Sequence, residues 1–239
     1  MSNYMQKKKI AICGASDCFL DPEYPGISWM EKFETLVQNN FEIENSSIEG
    51  ASNFLILLQV EKSLKTCDIV IVNFTSSVRF EYCAKDQHSE SELLDRFYRF
   101  YQSEKTFHDW SMICASALSV HKIPVLSTDQ KQLIKDFYTH FHDMEIDIKK
   151  NSVFIKQTIE TLITSGKKFI FSLGGFEHLS YLEHDSLVVK EFDKYQQYQS
   201  AVNLWDYIKD FRAPRPYFHI TDTNDTEKIA RNYSDFVNT

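Results

Sequence analysis

The segment Ile10-Ala11-Ile12-Cys13-Gly14-Ala15-Ser16-Asp17 places a hydroxyl directly after a short apolar run. Lys8 to Cys13 has the length and composition of a buried parallel strand. A serine that follows such a strand lies at the carboxyl edge of an α/β sheet, where these folds bind ligands and carry out chemistry. Gly14 lets the backbone turn tightly before it. Two readings of Ser16 stay open on these residues alone. It is a nucleophile with an exposed hydroxyl near a helix N-terminus, or it is a cap or phosphate contact of a doubly wound fold. Asp17 reads as a local cap for backbone amides. Arg79, in Val78-Arg79-Phe80-Glu81, is a candidate contact for an anionic group, set against the commoner solvated loop arginine. His140 and His142, with Asp143 beside them, have i, i+2 spacing, which does not share one helix face, so no metal site is expected. The chain has no Gly-x-x-x-x-Gly-Lys and no Gly-x-Gly-x-x-Gly, and Gly174-Gly175 reads as a strand-end turn. No cofactor is expected.

The elements that must position these residues alternate. Strands are predicted over Lys8 to Cys13, Phe41 to Ser46, Asp68 to Phe74 and Lys168 to Leu173, with Ile123 to Leu126 as a further short piece. Phe41, Ile43 and Asn45 alternate with Glu42, Glu44 and Ser46, as an edge strand does. Helices are predicted from Ser28 to about Asn39, over Phe54 to Leu64, Glu92 to Gln102, Phe107 to Val120, Gln130 to Phe141 and Ser152 to Thr164. Gly166 ends the last of these as a C-cap glycine. Thr221 or Asp222 caps a final helix through Val237. Strands separated by helices pair in parallel, because parallel neighbours need crossovers. The expectation is an α/β fold, a three-layer α/β/α sandwich around a parallel sheet of about five strands. It forms a single domain over residues 1–239, with an insertion at 75–105 after the third strand.

Bulk composition narrows the function classes. There are 34 acidic against 26 basic side chains, for a formal net charge of -8, and the longest lysine run is Lys7-Lys8-Lys9. Nucleic-acid binding needs clustered cations and is disfavoured. The 19 Phe and 12 Tyr exceed what a minimal core needs and leave aromatics for pockets or interfaces. Five cysteines without a Cys-x-x-Cys pair point to a reduced setting. No stretch has the length of a signal peptide core or a membrane helix, so a cytoplasmic location away from membranes is expected.

Four separated segments carry a resemblance. Gly14-Ala15-Ser16-Asp17, followed by Ser28-Trp29, resembles the first block of the SGNH/GDSL hydrolase superfamily, with Ala15 where that block has an Asp. Gly50-Ala51-Ser52-Asn53 resembles the second block, whose glycine amide lines an oxyanion hole. Asn73-Phe74-Thr75-Ser76 takes the place of the third block, Gly-x-Asn-Asp, so that Thr75 stands where the family has its oxyanion asparagine. His219-Ile220-Thr221-Asp222, leading into Lys228-Ile229-Ala230, resembles the last block, with Pro216 where its Asp belongs. A second alignment makes Asp222 the acid and puts Asp225 at the histidine position; the first is preferred because it keeps a histidine. The strings Asn73 to Glu81 and Phe171 to Glu177 are also similar to SGNH-like proteins of marine bacteriophages.

The resemblance implies a flavodoxin-like SGNH-hydrolase fold and a carboxylic ester hydrolase with Ser16 as nucleophile and His219 as base. Gly50, Asn53 and Thr75 would line the oxyanion site, with Asp222, Asp210 or Asp17 as acid or support. Its substrate would be a small acyl ester or an acetylated carbohydrate. The alternative is a binding or structural protein on the same fold, without appreciable catalysis. It would assemble as a homo-oligomer or in a virion through the aromatic residues between 178 and 218.

Overall fold

The computed structural model describes residues 7–15, 18, 26–48, 51–77, 80–83, 112–115, 127–141, 143–174, 176, 190–207, 220 and 222–239. In chain order these form β1 (Lys8–Cys13), α1 (Trp29–Val37), β2 (Phe41–Asn45), α2 (Asn53–Ser63), β3 (Ile69–Asn73), β4 (Phe80–Cys83), β5 (Met112–Ala115), α3 (Thr128–His140), α4 (Met144–Ser165), β6 (Lys168–Ser172) and α5 (Thr223–Asn238). Two short 3₁₀ segments, Asp193–Tyr198 and Leu204–Tyr207, lie between β6 and α5.

β2, β1, β3 and β6 make one parallel sheet in that order. Alternation along the strands sorts their side chains onto two faces. Ala11, Cys13, Val70 and Val72 share a buried cluster with α2 and α4. Ile10, Ile12, Ile69 and Ile71 share the other with α1 and α5. Helices therefore cover both faces, and the expected three-layer α/β/α sandwich is present. The sheet has four described strands rather than about five. Beyond β6, among the described residues, there is a single parallel bridge, Phe171 to Gln199, held by Ser200 N donating to Phe171 O at 2.7 Å.

Helix ends follow from capping chemistry. Ser28 Oγ accepts from Glu31 N while Glu31 Oε2 accepts from Ser28 N, both at 3.2 Å, a reciprocal capping box that starts α1. Ser52 caps α2, Asp143 caps α4, and Gly166 closes α4 in the left-handed region at φ 66°. Trp29 and Tyr233 join α1 to α5, with ring centroids 5.1 Å apart. Such a pair adds to what area burial alone provides.

Two expectations need correction. Phe107 to Val120 was expected to be helical, yet Met112–Ala115 is a strand paired antiparallel with Phe80–Cys83. Pairing with a partner strand overrides local propensity there. α4 begins at Met144 rather than Ser152, because Asp143 accepts from Glu145 N and Ile146 N and starts the helix earlier. Among the aromatics of 178–218, Phe192 and Tyr195 are buried in the core beside β6. The expected strand Ile123 to Leu126 and helix Glu92 to Gln102 lie outside the described residues.

No helix among the described residues is long and apolar enough to cross a membrane. Cys13, Cys18 and Cys67 are buried, and none of the three is in a disulfide. Burial pushes the Cys13 thiol up to about 12 and the Cys67 thiol up to about 11, against an ordinary value of 9.0. A thiol with a raised folded value favours the protonated form, so its contribution is complete below pH 9 and is lost as pH climbs towards 11 and 12. Unfolding free energy measured by urea titration should therefore fall across that alkaline range. It should fall less steeply in a Cys13→Ala/Cys67→Ala variant. Equal slopes in the two proteins would contradict this assignment.

Candidate functional site

The chain leaves β1 for β2 on one side and then returns to β3 on the other. Strand order thus reverses between β1 and β3, and the carboxyl ends of these two strands flank the crevice where open α/β sheets bind ligands. β1 ends at Cys13, so Gly14 and Ala15 carry the chain out over that crevice. β3 ends at Asn73, and Phe74 and Thr75 do the same from the other side.

The loop after β1 is pinned at both ends. Cys18 N donates to Ala15 O at 3.0 Å. Cys18 O accepts from Asn45 Nδ2 at 3.0 Å and from Ser47 Oγ at 2.9 Å, both just beyond or at the end of β2. Gly14 approaches its neighbours closely. A Cβ there would meet Cys18 Sγ at 2.8 Å and Asn73 O at 3.3 Å, which explains a glycine at this place. After β2, Ala51 N donates to Ile48 O at 3.1 Å. Ser16, Asp17, Gly50, Arg79, Asp210 and His219 lie outside the described residues. The buried Ile220, adjacent to His219 in sequence, belongs to the same apolar cluster as Cys18.

The loop after β3 is held by α2 and α4. Asn53 Oδ1 accepts from Thr75 N at 2.9 Å, and its Nδ2 donates to Thr75 O and to Asn151 Oδ1, each at 2.9 Å. Asn151 Nδ2 donates in turn to Ser77 O at 3.0 Å and Asp147 O at 2.9 Å. Asn53 is fully buried, and both of its amide hydrogens are engaged. It is therefore a clamp on the β3 loop, and it has no hydrogen left for the oxyanion role expected of it. The Thr75 hydroxyl, by contrast, is buried without a hydrogen-bond partner, and so is that of Ser77. It is also closed to solvent, so a ligand oxygen reaches it only after neighbouring atoms move. Asn73 is buried too; its Oδ1 accepts from Tyr233 Oη at 2.8 Å, while its Nδ2 has no partner.

Asp222 is the N-cap of α5, with its Oδ1 accepting from Asn224 N at 2.9 Å and Asp225 N at 3.3 Å. That is the capping role the sequence suggested. Asp225, the histidine position of the second alignment, lies in the first turn of α5. Cys13, next to the loop, has a thiol pushed up to about 12, first by burial, so it supplies no thiolate near neutrality. Among the described residues no group of three or more His, Cys, Asp or Glu side chains could hold a metal ion.

One residue of this region carried no expectation. Gln59, on α2, is fully buried, accepts from Gly14 N through Oε1 at 2.8 Å and donates to Gly14 O through Nε2 at 3.2 Å. Its signal in the sequence is a lone amide within Phe54-Leu55-Ile56-Leu57-Leu58-Gln59-Val60, because a polar group in a helix buried nearly all round must have a partner.

No protein-family model matches the chain, and no curated protein matches it. Solved structures similar to it include one described as TesA, at 9% identity and TM-score 0.49, covering 96% of this chain and 98% of that one. A lipase, Lip_vut3 from a goat rumen metagenome, is 8% identical with TM-score 0.43 over 97% of each chain. An acetyl xylan esterase, AlAXEase, is 12% identical with TM-score 0.35, covering 96% of this chain and 99% of that one. The functional reading rests on this chain's own residues.

Proposed function

We propose that the chain is a serine ester hydrolase of the SGNH type, with Ser16 as nucleophile and His219 as base. The observation that carries this reading is the position of the β1 loop. The carboxyl end of β1, where Gly14 and Ala15 follow, lies at the switch point of the sheet beside the end of β3, whose loop bears a buried Thr75 hydroxyl without a partner among the described residues.

In this reading Ser16 Oγ attacks the ester carbonyl while His219 takes its proton. The amides of residues 16 and 50 and the Thr75 hydroxyl donate to the oxyanion. Collapse expels the alcohol, which receives the proton from His219, and water then releases the acyl group from Ser16 by the same steps in reverse. Arg79 is the proposed contact for an anionic part of the substrate, and Asp17 supports the loop amides. Because Asp222 is committed to capping α5, Asp210 becomes the favoured acid for His219. Pro216 stands where the resemblance has its acid, and an acid supplied from elsewhere is less well placed; since loss of a well-placed acid can lower kcat about ten-thousand-fold, slow turnover is expected.

The test is hydrolysis of p-nitrophenyl acetate by the wild-type protein and by Ser16→Ala. The expected result is turnover that disappears in the variant, after which acetylated carbohydrates are the first natural substrate class to try. Equal background rates in both proteins would overturn the reading and favour a binding or virion role for the fold.

A further inference from the structure

We infer that Gln59 is a positioning residue for the nucleophile loop, acting on Ser16 through the backbone of Gly14; this rests on the proposed serine hydrolase. Where β1 ends, its ladder to β3 also ends, with Cys13 opposite Val72 as the last register pair. Gly14 N, one residue beyond, has no strand to bond to, and Gln59 Oε1 takes it at 2.8 Å. Gly14 O is shared between Gln59 Nε2 at 3.2 Å and Ile48 N at 3.2 Å. The carboxamide thus presents an acceptor and a donor to one residue, as a neighbouring strand would. Six positions earlier on the same helix, Asn53 does the same to Thr75. One rigid helix therefore fixes the backbone at both sides of the switch point. The distance from Ser16 to an oxyanion donor on the β3 loop then depends on α2 rather than on the two loops.

A carboxamide is suited to this task because it offers one donor and one acceptor without charge. A side chain lacking these groups strands the buried Gly14 N–H, and the loop must shift to satisfy it. A displacement of about 1 Å at a reacting group can cost about a hundredfold in rate.

The experiment compares wild type, Gln59→Leu, Gln59→Glu and Leu58→Ala. Leu58 is a buried α2 core residue that destabilises the same helix through a cavity when truncated. Hydrolysis of p-nitrophenyl acetate is read as kcat and KM, and amide exchange is read at Gly14. Gln59→Leu should lose about a hundredfold in kcat with KM little changed, and its Gly14 amide should exchange faster. Leu58→Ala, compared at equal folded fraction, should keep kcat. In Gln59→Glu the introduced carboxyl mimics the amide only while protonated, and burial raises its pKa. Its activity relative to wild type should therefore fall as pH rises. This variant carries the test if Gln59→Leu does not fold. Wild-type kcat in Gln59→Leu, a matching loss in Leu58→Ala, or a flat pH ratio in Gln59→Glu would each overturn the inference. A wild-type protein without Ser16-dependent hydrolysis overturns the serine hydrolase reading, and the positioning role with it. Unchanged exchange at Gly14 overturns the clamp alone.

Discussion

Replacing Thr75 by valine is expected to lower ester hydrolysis about 100- to 1,000-fold while leaving stability unchanged or improved. The two effects part company because of one atom. The Thr75 hydroxyl is buried and has no partner among the described residues, so removing it strands nothing there. Valine keeps the branched shape, and the clamp on the Thr75 backbone comes from Asn53, which the substitution does not touch. If the hydroxyl donates to the oxyanion, all of its value appears in the transition state. The loss should therefore fall on kcat rather than KM. The measurement is kcat and KM on p-nitrophenyl acetate together with a thermal melt. Wild-type turnover in the valine variant would show that the oxyanion is held without this residue. A large drop in melting temperature would show that the hydroxyl has a structural partner after all.

Asn53→Ala should do the reverse and act first on stability. Its carboxamide satisfies Thr75 N, Thr75 O and Asn151 Oδ1, all buried. Each buried group left without a partner costs about 1–3 kcal/mol. Together they predict a loss of roughly 3 kcal/mol or more, a large share of the 5–15 kcal/mol that a domain typically has. Asn151→Ala should cost less, because Asn53 would still hold both backbone groups of Thr75. Urea unfolding of the two variants gives the comparison directly. An Asn53→Ala protein within about 1 kcal/mol of wild type would mean that water replaces the clamp, and the rigid β3 loop would have to be abandoned.

The sheet was legible in the sequence because its strands are apolar runs with no helical period, Ile69 to Val72 above all. The final helix was legible through its cap and Gly166 through its position. What stayed hidden was pairing at a distance. Met112–Ala115 is too short to declare its period, and only its antiparallel partner Phe80–Cys83 makes it a strand. The first turns of α4 hid behind Glu145, Asp147, Lys149 and Lys150, whose charges dilute the apolar period.

At the site, the block order located both edges of the switch point, since Gly14 and Thr75 stand where β1 and β3 end. It misassigned Asn53, because a residue type that suits an oxyanion hole suits a backbone clamp equally well. Only the bonds to Thr75 and Asn151 separate the two roles. Gln59 stood in plain view as an amide inside an apolar helix, but its partner, forty-five residues earlier, could not be named without the fold.

The central claim is that Ser16 is an activated nucleophile, and covalent trapping tests it most directly. The protein would be incubated with a fluorophosphonate, digested, and its peptides weighed by mass spectrometry. The account predicts one phosphonyl adduct, on the peptide containing Ser16, whose formation stops when His219 is replaced by alanine. An unmodified Ser16 peptide, or an adduct that forms equally well without His219, would contradict it.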